Sequence, residues 1–298
     1  MSTVSSTRTG APALGASGLV VAGLICQEVG AAFAVTLFPS VGAVGMVSLR
    51  LAFSAAILML VFRPRLRGRS RADWMTVLAF GLSLAGMNVL FYEALARLPL
   101  GVTVTIEVLG PLILSVVVSR RASSWLWAVL AFAGVAILGR GGFDSLDPIG
   151  VLFAAGAGAL WVAYILMSAR TGQRFERLDG LAIAMTMAAL VVVPFGTVTA
   201  GATIIHPQIL LLGLAVAVLS STIPYGLELL ALRRLPAATF SILLSLAPVL
   251  AALAGLLILG QQLTVLDLLA MVLVVVASMG AVRAASRRSR TLITEVTP

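Results

Sequence analysis

The residues of this chain that could do chemistry stand inside long apolar runs. Thr103, Glu107 and Pro111 repeat every fourth residue and so share one stripe of a helix. Proline has no N–H to give, which leaves the carbonyl four residues earlier, that of Glu107, without its helical partner. An acid at such a kink is either a site element or part of a packing bend. Asn88 and Tyr92 are also four apart, and both can hydrogen-bond a polar ligand, whereas Glu93 lies one step round near a helix end and reads as a rim residue. Ser221, Pro224, Tyr225 and Glu228 form another stripe, with Glu228 toward an inner vestibule. Ser241, Ser245 and Pro248 repeat the geometry of the Glu107 stripe, where serines either line a cavity or let helices approach. Trp161 and Tyr164 lie well inside a run, as cavity lining or as packing.

Two more charges complete the set. Glu28, beside Gln27, reads as a proton carrier, a ligand for a substrate amine, or a structural partner of Arg50. The planar fork of Arg50 suits a carboxylate, with a buried ion pair to Glu28 or Glu107 as the alternative. The resulting expectation puts Asn88, Tyr92, Glu107, Trp161, Tyr164, Tyr225 and Ser245 around a substrate and gives proton coupling to Glu28 and Glu107. Arg50, Pro111, Pro224 and Pro248 are assigned structural or gating roles.

These groups need elements that hold them in hydrocarbon. The chain has 298 residues, 60% hydrophobic and 10% charged, against about a quarter charged in soluble domains. Ten segments reach the roughly 20 apolar residues that a spanning helix needs. They run near 17–37, 43–62, 74–96, 100–119, 123–140, 148–169, 179–199, 208–231, 237–259 and 263–282. The breaks fall at Pro39, Pro64, Pro99, Arg120–Arg121, Gly141–Gly142, Pro207, Pro236 and Gly260.

With the N-terminus in the cytoplasm, all of the 20 arginines except Arg97, Arg140 and the intraspan Arg50 fall on the inner side. A miscount by one span would scramble that alternation. The net charge of +9 is therefore a topology signal and not a nucleic-acid surface. Residues 1–16 read as a disordered cytoplasmic tail without the plan of a signal peptide, and 283–298 as a basic cytoplasmic tail.

The single histidine, His206, falls in an outer loop, and Cys26 is the only cysteine. No His/Cys cluster, aspartate-rich pair or Gly-rich phosphate loop is present, so no cofactor, metal site or enzyme activity is expected. Arg97–Leu98–Pro99 recurs as Arg234–Leu235–Pro236, and at the same offset Leu109 and Pro111 align with Leu246 and Pro248. Five spans per half is an odd number, so the second half, 148–282, must be inserted upside down relative to 17–140. The expected fold class is an all-α integral membrane protein with ten transmembrane helices as two inverted five-helix repeats, an architecture concentrated in transporters.

The strings LFPSVGAVGMVSLRLA, GMNVLFYEALARLPLG, IEVLGP, GAGALWVAYIL, LSSTIPYGLELLALRRLPAATF and LTVLDLLAMVLVVVASMG resemble the EamA branch of the drug/metabolite transporter superfamily. The resemblance covers nearly everything from the first span to the tenth. It implies a ten-helix inverted repeat in the cell (plasma) membrane with both termini cytoplasmic. It further implies export of threonine, homoserine or similar small neutral amino acids by alternating access, coupled to protons. A broader metabolite or drug exporter is the alternative, and a non-transporting scaffold or receptor is the alternative of another class. The expected partners are the small-molecule substrate and the lipid bilayer, with a homodimer also entertained.

This chain departs from the amino-acid exporters of that branch at informative places. They carry a glutamate before the ninth-span proline, where Ala247 precedes Pro248 here. Their Gly-Glu after the ninth span is Gly260–Gln261, and Glu28 and Val35 stand where they have glutamine and lysine.

Overall fold

In hydrocarbon every backbone N–H and C=O must find its partner inside the protein, which leaves the helix as the natural spanning element for such a chain. The computed structural model describes residues 10–119, 122–140, 146–176, 178–232, 235 and 237–296, and these are helical with no strands. The elements are α1 Gly10–Thr36, α2 Phe38–Phe62, α3 Arg71–Leu95, α4 Leu100–Glu107, α5 Leu109–Ser119, α6 Ala122–Arg140 and α7 Pro148–Gly172. They continue with α8 Asp179–Ala200, α9 Pro207–Ala217, α10 Ile223–Leu232, α11 Ala237–Leu244, α12 Ala247–Leu259 and α13 Val265–Val296. A π-helical turn, Val218–Thr222, joins α9 to α10.

Among the described residues nine helical segments are long and apolar enough to cross a bilayer. The tenth expected span, 123–140, falls on α6, whose apolar stretch Trp125–Ile137 is shorter. Helix α1 begins at Gly10, inside the segment expected to be a tail, and α13 continues past residue 282 to Val296. Residues 1–9 and the breaks at Arg120–Arg121, Gly141–Gly142 and Pro236 lie outside the described residues, as do Arg233 and Arg234.

Helix ends near water carry their own caps. The Ser70 hydroxyl accepts from the Asp73 N–H while the Asp73 carboxylate accepts from the Ser70 N–H, a reciprocal box that starts α3. Asp147 caps α7 ahead of Pro148, and Thr264 and Asp267 form a second box at α13.

The helices pack as pairs: α2 on α8, α3 on α7, α6 on α13, α4 on α12, α1 on α10, α3 on α8, α2 on α9, α1 on α12 and α4 on α7. Lipid tails are as apolar as leucine side chains, so close contact and not water exclusion must hold such pairs. Small residues supply that contact. Gly86 of α3 meets Leu160 of α7, Gly45 of α2 meets Ala200 of α8, and Gly134 of α6 meets Ala270 and Val274 of α13.

The α3–α7 pair is also tied at both ends. At one end Arg97 pairs with Glu93 at 2.5 Å and with Asp147 at 3.7 Å, and its guanidinium lies 4.9 Å from the Phe153 ring centre. At the other, Arg174 donates to Asp73 at 3.0 Å, while Arg69 lies 4.5 Å over the Phe175 ring and 3.9 Å from Asp179. Each tie joins a half-exposed arginine to an acid and a ring, so each is worth on the order of 1 kcal/mol. Arg97→Ala and Arg69→Ala should each lower the melting temperature of the purified protein by a few degrees, and the double variant by about the sum, since the two sites share no partner. Thermal unfolding in detergent at two salt concentrations checks this, the deficits shrinking as salt rises.

Candidate functional site

Four of the polar groups read from the sequence, Glu28, Arg50, Asn88 and Glu107, share one small cavity of about 60 Å³. It is lined by Gln27, Glu28 and Ala31 of α1, Arg50 of α2, Met87, Asn88 and Phe91 of α3, and Glu107 at the end of α4. Glu28, Asn88 and Glu107 are all buried. One oxygen of Glu28, Oε2, has no hydrogen-bond partner, and the Asn88 amide donates 2.8 Å to the Leu84 carbonyl one turn back.

Glu107 reaches this place because the fourth span is broken. Helix α4 stops at Glu107 and α5 starts at Leu109, and Pro111 has no N–H with which to continue the ladder across the gap. Backbone from α7 closes on the break. A methyl group added to Gly158 would stand 2.6 Å from the Glu107 carbonyl oxygen, so glycine alone permits the approach. A second break falls between α11 and α12, from Leu244 to Ala247, just ahead of Pro248.

Arg50 organises the other side. Its Nε donates to Ser221 Oγ at 3.2 Å, its Nη1 to Tyr92 Oη at 3.2 Å, and its Nη2 to the Ser220 carbonyl at 3.1 Å. The guanidinium also lies 5.5 Å from the centre of the Tyr92 ring, which is fully buried and flanked by Phe38 and Phe91. Ser220 and Ser221 sit in the π-helical turn, a form of backbone that recurs at functional sites. Helix α1 presses on this turn at Gly30, where an added methyl would meet Ser220 Cβ at 2.9 Å and Ser220 N at 3.0 Å.

The alternative of a buried ion pair is not what the structure shows: among the described residues no carboxylate lies within 4.0 Å of Arg50. Glu28, Glu107 and Arg50 are nonetheless within electrostatic reach of one another. The lining comes from α1–α4, and the second half enters through Ser220 and Ser221 behind the arginine.

The other expected positions separate. Tyr92 holds Arg50 and does not line the cavity. Tyr164 and Tyr225 interact through their hydroxyls, with Phe80 5.2 Å from the Tyr164 ring and Glu228 within electrostatic reach of both. Trp161 is half-buried on α7 away from the lining. Ser245 is buried at the ninth-span break, and Pro111, Pro224 and Pro248 lie in their helices without touching the cavity. Glu93, read from the sequence as a rim residue, does not line the cavity and pairs with Arg97 near the end of α3. Sequence reasoning missed Met87 and Phe91 as lining, and Ser220, whose contribution is a backbone carbonyl.

Gln261 supports the same broken span from its other end. Its Oε1 accepts from the Leu100 N–H at 3.0 Å and so caps α4 after Pro99. A larger apolar crevice of about 470 Å³ lies beside the fourth-span break, lined by Ile106, Gly110, Ile113, Phe132, Ala155 and Val162 among others.

Known proteins bear on this geometry. A model of the EamA-like transporter family matches residues 148–283. The chain is 44% identical to the threonine/homoserine exporter RhtA of Salmonella typhimurium (strain SL1344) over 84% of its own length and 85% of that protein's. It is 41% identical to the threonine/homoserine exporter RhtA of Escherichia coli (strain K12) over 88% of its length and 89% of the relative's. One protein of known crystal structure superposes with a TM-score of 0.62 at 18% identity, covering 93% of this chain and 99% of that one, a likeness of fold alone.

The tight seat of Gly30 yields a test of the site's construction. Gly30→Ala must push the π-helical turn and the groups that hold Arg50, at a cost of about 1–3 kcal/mol. Gly15→Ala, with nothing within 4 Å of the added carbon, should leave the melting temperature unchanged. Equal melting temperatures for the two variants would show that α1 does not bear on the turn.

Proposed function

Because the chain belongs to the EamA-like transporter family, we propose that it exports threonine, homoserine or similar small neutral amino acids across the membrane it spans. The observation that carries this reading is the composition of the cavity. One fixed cation, two carboxyl groups and two amides share a small space inside the bilayer, a set that suits a small zwitterion. The similar proteins named above are transporters and not enzymes. A broader metabolite or drug exporter has one observation in its favour, the 470 Å³ apolar crevice beside the fourth-span break.

Transport would proceed by alternating access between two inverted five-helix repeats, residues 17–140 and 148–282, with both termini cytoplasmic. The packing supports the repeat. Number the ten spans in chain order and exchange each with the one five places along. The pairs α2 on α8, α6 on α13 and α4 on α12 map onto themselves. The pair α3 on α7 maps onto α10 on α1, α3 on α8 onto α9 on α2, and α4 on α7 onto α12 on α1. The matched breaks after Glu107 and Leu244 obey the same exchange. The arginine bias supports the orientation. In this scheme the Arg97 and the Arg69–Arg174 ties, at opposite ends of the α3–α7 pair, break in turn as the halves rock.

Glu28 and Glu107 are the groups proposed to carry the proton, since they are the carboxyls that face the cavity. The purified protein in liposomes should accumulate labelled threonine or homoserine when a proton gradient is imposed, and a panel of labelled amino acids and drugs separates the narrow from the broad substrate range. Glu28→Gln or Glu107→Gln should abolish gradient-driven accumulation and spare counterflow exchange. Two variants that both accumulate substrate like the parent would remove these carboxyls from coupling.

A further inference from the structure

A guanidinium has five N–H groups and no acceptor. Arg50 spends three of them on groups that are all neutral: a tyrosine hydroxyl, a serine hydroxyl and a backbone carbonyl. One N–H remains on each of Nη1 and Nη2, the number that a carboxylate takes when it docks two-pronged. The charge is held in place without a contact ion pair, since no carboxylate lies within 4.0 Å of it among the described residues and Glu28 and Glu107 act on it only from farther off. Such a group is expensive to keep in the bilayer unless something else uses it. Arg50 lines the cavity, and Glu28, on the same cavity, keeps one buried oxygen without a partner.

We propose that Arg50 anchors the α-carboxylate of the exported amino acid, with Tyr92, Ser221 and the Ser220 carbonyl positioning its guanidinium and Glu28 receiving the ammonium end. The assignment rests on the exporter reading and sharpens it: the solute must carry a carboxylate next to its amine. The neutral scaffold explains why the site needs Tyr92 buried behind the arginine. An acid there would pair with Arg50 and occupy the two N–H groups that the solute needs. The anchor is also reached from both halves of the chain. Arg50 belongs to α2, while Ser220 and Ser221 belong to the π-helical turn between α9 and α10, so a shift of one half against the other changes the grip on the carboxylate.

The test is counterflow of labelled threonine in liposomes containing the full chain, with unlabelled competitors. Threonine should compete, whereas threoninol and threonine methyl ester, which keep the amine and the side chain but lack the carboxylate, should compete about 10- to 100-fold more weakly. This arm uses the unaltered protein, so no folding defect can confuse it. Tyr92→Phe and Ser221→Ala keep the charge and remove one holding bond each, and both should raise KM several-fold with little change in the maximal rate. Arg50→Lys should keep weak threonine exchange, and Arg50→Gln should lose it. Threonine moved normally but matched by threoninol as a competitor would overturn the anchor and leave the exporter reading intact. Movement of no amino acid at all would overturn both.

Discussion

Hydrocarbon offers no hydrogen bonds, and most of this structure follows from the need to hold one arginine there. Arg50 is kept by a hydroxyl from α3, a hydroxyl from the second half and a carbonyl from an irregular turn. Each partner is itself fixed. Tyr92 is wedged between Phe38 and Phe91, and the Ser220 hydroxyl donates to the Val216 carbonyl at 2.7 Å. Gly30 lets α1 lie against the turn, and α1 brings Glu28 to the cavity. One charge therefore ties α1, α2, α3 and the α9–α10 junction into a single arrangement.

The irregular backbone is confined to places where protein, not lipid, surrounds it. The break after Glu107 faces Gly158 of α7, and the π-helical turn faces Gly30 of α1. Inside a bilayer that is the only tolerable placement, because a freed carbonyl turned toward lipid would go unsatisfied. The ends of the broken span are secured differently. Leu100, at the start of α4, gives its N–H to Gln261 from the loop before α13, which couples α4 to the connection between α12 and α13.

Much of this is legible in the sequence, and the reasons for the rest are physical. Long apolar runs give spans, and the proline four residues beyond Glu107 marks the broken helix. Helical spacing puts Asn88 and Tyr92 on one stripe, which is correct, but spacing along one helix says nothing about depth behind a neighbour. Asn88 stands on the cavity and Tyr92 behind Arg50. Charge alone suggests an acid as the partner of Arg50, yet hydroxyls and a carbonyl meet the need. The role of the Ser220 carbonyl is invisible in the sequence because it depends on a π-helical turn, and side-chain pattern carries little trace of one residue of extra backbone. Trp161 and Tyr164 are singled out by their depth in a span, and depth does not decide which helix face turns inward.

The account depends on a chamber that water and solute can enter from each side of the membrane in turn. Met87 lines the cavity without holding any of its charges, so it reports access with little disturbance. In a Cys26→Ser background, Met87→Cys in sealed vesicles of either orientation can be treated with a membrane-impermeant thiol reagent. The account predicts modification from both faces and protection by threonine. A thiol that stays unmodified from both faces, or is modified from one face only whatever the conditions, would contradict it.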